Sequence, residues 1–489
     1  MKKNKPAFKC IIFILLLAFL NTCSPPEDEG YVGNPPRLDI FGGTNIQNLN
    51  GEHIYTMISA QPKNKPESDY YPSTYYPFTL RTTAFGSPSI IAHSYSDLAV
   101  SAGYVKSSSM QTSYSGQAGM DERMRRKENE LLSSDRRQFV SKSDSLFKAA
   151  APKPIIENVT QWENINIYDS NEILHTIDAT CRKISDHAYI FVDNRDTANM
   201  SGYMADYGTS FDNIYTMNQS KFGTENDIDT NGKVLIVFSR ELNDGVLGYF
   251  YAGDKFSKTI ISDSNEGDII YLTAENAYQG DYVKGAMAHE LQHMTYFDQH
   301  YNRGVTATYT WLNEALSQAA EYYNGYLTNH EAWMTNFLSG DWLGLSLTHW
   351  TSDNYGYGAI FIRYLIDRFG DSAIYKMCST NKVGIAAVEA ATSTDFNTIF
   401  NDFTLALVLD DTLPTPPTKY SFFPLDLTTL QPAGRGGLET SYSYGSGTTV
   451  SSSGGIPPYM ITFFRWTGSF GSMNLTGTEM VCTAFGLSE

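Results

Sequence analysis

The stretch GAMAHELQHMTYFDQHY, residues 285–301, places His289 and His293 four residues apart, with Glu290 directly after the first histidine. In an α-helix, positions i and i+4 lie about 40° apart around the axis, so both imidazoles address one point. Glu290 falls about 100° from His289, within reach of a water held at that point but off the ligating face. Two neutral imidazoles suit zinc, which lowers the pKa of a bound water towards about 7. A carboxylate alongside can then take the proton as the water attacks a carbonyl. The competing reading is a solvated helix with incidental histidines. Val283, Ala286, Met287, Leu291 and Met294 argue against it, because they describe a buried helix in which imidazoles and a carboxylate need partners.

A catalytic zinc needs a third protein ligand and an open fourth position, whereas a structural zinc is closed by a fourth ligand, for which no suitably spaced residue is found. His300 stands seven residues past His293, one too many for the pattern HExxHxxGxxH, and Tyr296 occupies that pattern's glycine position. His300 is therefore expected on the surface or in a loop. Glu314, 21 residues past His293 in TWLNEALSQAAEYYNGY (310–326), is the better candidate. A connector of roughly ten residues lets two helices pack side by side, with Glu314 facing the histidines. The alternative is an exposed first-turn acid favoured by the helix dipole. The apolar neighbours in WLNEAL count against it.

HELQH followed by NEALSQ resembles the gluzincin arrangement of thermolysin-like peptidases, with HExxH on one helix and Asn-Glu-x-x-Ser-Asp/Gln on the next. The longer pattern AHELQHM…WLNEALS, preceded by FDNIYTMNQSKFGTENDIDTNGKVLIVFS, is more similar still to the hyicolysin-like zinc peptidases of secreted bacterial origin. The resemblance spans residues 160 to 410, roughly. It implies that His289, His293 and Glu314 ligate zinc, that Glu290 is the general base, and that the substrates are proteins or peptides. It also sets Gln318 where thermolysin-like enzymes carry an acidic residue that orients a ligand histidine. The segment SDNYGYGAIFIRYLIDRFG (352–370) resembles the Tyr-Gly stretch that opens a later helix in these families. Tyr355 or Tyr357 would donate its phenol to the oxyanion of a tetrahedral intermediate, Tyr355 being preferred, with His349 a weaker candidate.

A formal net charge of −18 over 489 residues argues against nucleic acid, since phosphate binding needs a basic face. The one Arg-rich stretch, ERMRRKENELLSSDRR (122–137), has acids interleaved and reads as a solvated helix. MKKNKPAFK followed by CIIFILLLAFL has the form of an export signal, too short an apolar run for a membrane span. NTCSPPEDEG then places Cys23 as in a lipoprotein signal, although Thr22 departs from the usual small residue before the cysteine. Lipid attached at Cys23 would hold the protein in the cell envelope; otherwise it is secreted. The remaining cysteines, Cys181, Cys378 and Cys482, form no CxxC pair.

TENDIDTNGKV (224–234) sets Asp227, Asp229, Asn231 and Gly232 at the spacing that opens an EF-hand, but Phe238 holds the position where the bidentate Glu is required. A structural turn is the main reading and a calcium site of another kind the lesser one. The chain divides into a signal peptide (1–22), a β-rich N-terminal domain or pro-region (24–116), a charged helical linker (117–154), a metallopeptidase domain (155–412) and a C-terminal β-rich module (413–489). HAYIFVD (187–193) and KVLIVFS (233–239) read as buried strands, and 281–299, 311–325, 356–369 and 394–409 as helices. The expected fold is α+β, a zincin-like metallopeptidase domain between small β-rich modules. The rival function is a surface adhesin or host-protein-binding lipoprotein on a peptidase-derived fold.

Overall fold

The computed structural model describes residues 38–42, 45–47, 53–68, 74–85, 89–92, 111–134, 154–275, 280–338, 345–351, 354–410, 418–430, 441–443, 449–467 and 469–487. The expected export signal and Cys23 lie outside these residues. In chain order the strands are β1 (Leu38–Gly42), β2 (Asn45–Gln47), β3 (His53–Ala60), β4 (Tyr76–Phe85) and β5 (Ser89–Ala92), followed by helix α1 (Gln111–Ser133). Next come β6 (Gln161–Tyr168), β7 (Leu174–Ile184), β8 (Ala188–Asp193), helix α2 (Met204–Phe222), β9 (Val234–Ser239), β10 (Gly248–Phe250) and β11 (Ile269–Thr273).

These last six strands form one mixed sheet in the order β10-β11-β9-β8-β7-β6. Its centre, β8-β9-β11, is parallel, and β10 closes one edge antiparallel to β11. Every residue of VLIVFS in β9 is buried, as expected of an apolar run covered on both faces. Among the described residues seven helices of eight residues or more follow: α3 (Gly280–Asn302), α4 (Thr310–Tyr323), α5 (Leu327–Asn336), α6 (Tyr355–Phe369), α7 (Asp371–Cys378), α8 (Gly384–Thr392) and α9 (Phe396–Leu409). Helix α3 lies against β10 and β11, and against α2 and α4. Gly370, at φ +71°, ends α6 in a conformation that side chains disfavour, and Asp395 caps α9 by accepting from the Asn397 and Thr398 amides. The α+β class and the four helices read from the sequence are present, and α2, α5, α7 and α8 are additional.

The terminal strands are arranged differently from the two flanking modules expected. With β12 (Ser441–Ser443), β13 (Thr449–Ile456), β14 (Ile461–Thr467), β15 (Ser469–Thr476) and β16 (Met480–Leu487), the two ends of the chain share their sheets. One sheet runs β1-β16-β3-β14-β5-β12 and the other β13-β4-β15-β2, so N-terminal and C-terminal strands alternate throughout. Alternating apolar residues tell which face of a strand is covered, not which strand lies beside it.

Helix α1 also differs from expectation. It begins before residue 117, and it is not a solvated connector: Ala118, Met120, Asp121, Met124, Arg125, Glu128, Leu131 and Leu132 are buried. Residues 135–153 of the expected linker lie outside the described residues. Cys181, Cys378 and Cys482 are all buried free thiols. Among the described residues no helix is long and apolar enough to cross a membrane.

Candidate metal centre

Helices α3 and α4 pack side by side and bring three of the expected residues together. His289 Nε2 lies 3.2 Å from Glu314 Oε2, and His293 Nε2 lies 3.5 Å from Glu314 Oε1. The imidazole rings are 4.8 Å apart at 72°. Ligands held at about 2.0–2.1 Å in a tetrahedral shell stand roughly 3.3 Å from one another, so these separations are those of a ligand set. All three residues are buried, and they form a group able to hold a metal ion.

The outward nitrogens are fixed as such a site requires. His289 Nδ1 bonds Glu321 Oε1 at 2.8 Å, and His293 Nδ1 bonds Asn313 Oδ1 at 3.0 Å. A carboxylate or amide oxygen at Nδ1 keeps the proton there and leaves the Nε2 lone pair for a cation. The residue orienting His289 is thus Glu321, not Gln318; Gln318 stands one step further out, donating from Nε2 to Glu321 Oε1 at 3.0 Å. Ser317 Oγ lies 3.1 Å from the His293 ring nitrogens and donates to Gln292 at 2.6 Å.

Glu314 Oε1 and Glu290 Oε2 are among the buried carboxylate oxygens without a hydrogen-bond partner, as are Glu321 Oε2 and Glu128 Oε1 beside them. Orphaned polar oxygens are costly in a protein interior, and a divalent cation with its water would answer Glu314 Oε1 and Glu290 Oε2, so the residues fit a metal. The electrostatics agree. Burial, with the Arg125 charge nearby, pushes His293 down to about 3, so it is a neutral donor. Burial disfavours charge on His289, but its bonds to Glu314 and Glu321 override this and raise it well above the imidazole range. A cation at Nε2 would displace that proton. Burial raises Glu290 to about 8, with the charge of Asp121 adding to the rise and that of His289 opposing it.

Glu290 is fully buried at the wall of a cleft of about 360 Å³, which is also lined by Asp121, His289, Glu321, Trp333 and Tyr355. Tyr355 enters this cleft from the first turn of α6 and donates its phenol to Asp121. Tyr357 instead donates to the Tyr459 carbonyl at 3.0 Å, and His349 bonds Ser346 and Thr348, so neither serves the cleft. His300 stays out of the metal group, as expected, but it is not at the surface: it is fully buried at the end of α3, bonded to the Tyr296 carbonyl.

Sequence reasoning missed the contribution of α1. Arg125 pairs with Glu128 at 2.9 Å and stands 3.9 Å from Glu314 Oε1, while Asn313 Nδ2 donates to Glu128 at 3.3 Å. Burial raises Glu128 to about 8, against the pull of Arg125. The sequence offers one cue: Met120, Met124 and Leu131 recur at helical spacing beneath the charges.

A second group, Asp227, Asp229 and Asp268, could also hold a divalent ion. The turn reading describes the same loop, since Asp227 accepts from the Asn231 and Gly232 amides at 3.1 Å each. Asp268 already pairs with the Lys255 ammonium.

Neither a protein-family model nor a curated protein matches this chain.

Proposed function

We propose that the protein is an exported zinc-dependent metalloendopeptidase of gluzincin type, related to the hyicolysin-like enzymes and held in the cell envelope by lipid on Cys23. The observation that carries this reading is the ligand spacing of His289, His293 and Glu314 beside a buried Glu290 at the wall of an open cleft. Two imidazoles and one carboxylate suit zinc, and three protein ligands leave a position for water or substrate. Zinc bound there would polarise the scissile carbonyl and acidify a water. Glu290 takes the water proton through its unpartnered Oε2 and passes it to the leaving amine. Tyr355, on the same cleft, is the donor for the oxyanion once Asp121 releases its phenol. Glu321 and Asn313 hold the two imidazoles. At the aspartate group a calcium ion is the matching hard cation, with Lys255 as its competitor.

Glu290→Gln tests the central claim. It should keep stoichiometric zinc and lose casein hydrolysis by about 10²–10⁴-fold. Undiminished cleavage by this variant would overturn the mechanism. Stoichiometric zinc in a parent protein that cleaves no peptide would favour the binding-protein rival.

A further inference from the structure

The face of α1 turned towards the metal centre carries Gln117, Asp121, Arg125 and Glu128, spaced four, four and three residues apart. That spacing confines them to a sector of about 80° on the helix. Three of the four meet a group that peptide hydrolysis needs. The Gln117 amide engages the edge strand β10: Nε2 donates to the Gly248 carbonyl at 3.0 Å, and Oε1 accepts from Leu247 N at 2.7 Å and Gly248 N at 3.4 Å. One donor and one acceptor on adjacent main-chain groups is the pattern an extended peptide makes when it adds to a sheet edge. This edge lies against the proposed base, since a Cβ on Gly248 would come 3.4 Å from Glu290 Cγ.

One turn on, Asp121 accepts the Tyr355 phenol and the Gln117 amide, the latter at 2.7 Å. The phenol proton is therefore committed to a carboxylate instead of an oxyanion. A further turn on, Arg125 stands 3.9 Å from Glu314 Oε1, an oxygen that accepts no hydrogen bond. The approach is close: a Cβ on Gly116 would fall 2.0 Å from the Asp244 carbonyl.

We propose that α1 is a built-in occupant of the peptide-binding edge: Gln117 takes the main-chain positions of an extended peptide on β10, Asp121 holds the Tyr355 phenol, and a substrate docks there only when this stripe withdraws. This rests on the peptidase reading. The opposite role, a permanent wall in which Asp121 merely positions Tyr355, makes opposite predictions.

The test uses the full chain with Gln117→Ala and Asp121→Asn, singly and together, each also made in the Glu290→Gln background. Fluorescein-labelled casein reports binding by anisotropy in that background, and its dequenching reports hydrolysis in the parent background. Gln117→Ala should speed amide exchange at Leu247 and Gly248, tighten casein binding about tenfold and lower KM, with zinc content unchanged. Asp121→Asn should raise kcat instead. Casein binding and kcat/KM that are unchanged or reduced in both variants would overturn the proposal and make α1 part of the working site. Absence of Glu290-dependent hydrolysis from the parent and every variant would instead refute the peptidase reading, and the proposal with it.

Discussion

Glu321→Gln asks whether the second layer of the candidate metal centre is the one the geometry defines. Glu321 is buried, and its Oε1 receives the His289 Nδ1 proton at 2.8 Å. The substitution keeps the shape but removes the charge that makes the imidazole a better donor. It also allows the amide to turn its NH₂ towards Nδ1, which would favour the tautomer with Nε2 protonated and unable to ligate. Losses of this kind cost about 10- to 100-fold in metal affinity, or about 1.4–2.7 kcal/mol. Gln318 touches no imidazole of the metal group and acts only through Glu321, to whose carboxylate it donates one hydrogen bond at 3.0 Å. Gln318→Ala should therefore cost less, about fivefold, because only part of a bond worth about 1.5–3 kcal/mol reaches the metal through Glu321. Zinc competition against a chromophoric chelator at fixed pH measures both, with circular dichroism to show that helix content is retained. An effect of Gln318→Ala as large as that of Glu321→Gln, or a Glu321→Gln affinity within about twofold of the parent, would refute the assignment.

Gly356→Ala should lower stability by about 1–3 kcal/mol, because its Cβ would meet the Trp333 carbonyl at 2.3 Å and Phe337 Cβ at 2.8 Å, where α5 and α6 cross. A urea midpoint shift reads this, and KM should rise with it, since Trp333 and Tyr355 both line the cleft. Burial raises Asp254 to about 7, against the pull of its bond from Tyr271. With the folded value above the unfolded one, this group's stabilisation is complete below about pH 4 and fades as pH rises through 7, by at most on the order of 4 kcal/mol. The stability of the parent relative to Asp254→Asn should fall over that interval, and a difference independent of pH would exclude the effect. Zinc in about thousandfold excess over its Kd should add about 4 kcal/mol to stability. Chelation should then lower Tm by several degrees in the parent and leave Tm in His289→Ala unmoved.

The elements that position the site were legible because their periods are strong. The helices carrying His289, Glu314 and Tyr355 and the strands β8 and β9 lie where spacing and apolar runs place them. The grouping of His289, His293 and Glu314 followed from two short motifs. What remained hidden depends on reach and on neighbours. Gln318 and Glu321 both fall on the face of α4 that carries Glu314, and only the side-chain path shows which one meets His289. Tyr355 and Tyr357 are about 200° apart on α6, so one must turn away, and a lone sequence does not say which. The stripe on α1 was masked by its own composition: interleaved acids and bases describe a solvated face equally well until Arg125 and Glu128 are found buried against Glu314 and Asn313.

The alternation of the terminal sheets constrains how the molecule can be made. Every described neighbour of β1 to β5 is a strand from residues 441–487: β1 has β16, β2 has β15, β3 has β14 and β16, β4 has β13 and β15, and β5 has β12 and β14. Strands β1 to β5 thus complete none of their described ladders until β12 to β16 have been delivered, while the β6–β11 sheet and its helices can close in the meantime. The waiting strands present unpaired edges, the condition under which chains mispair with one another. A chain that stops near residue 410 therefore loses more than its tail, because it strands the beginning of the molecule as well.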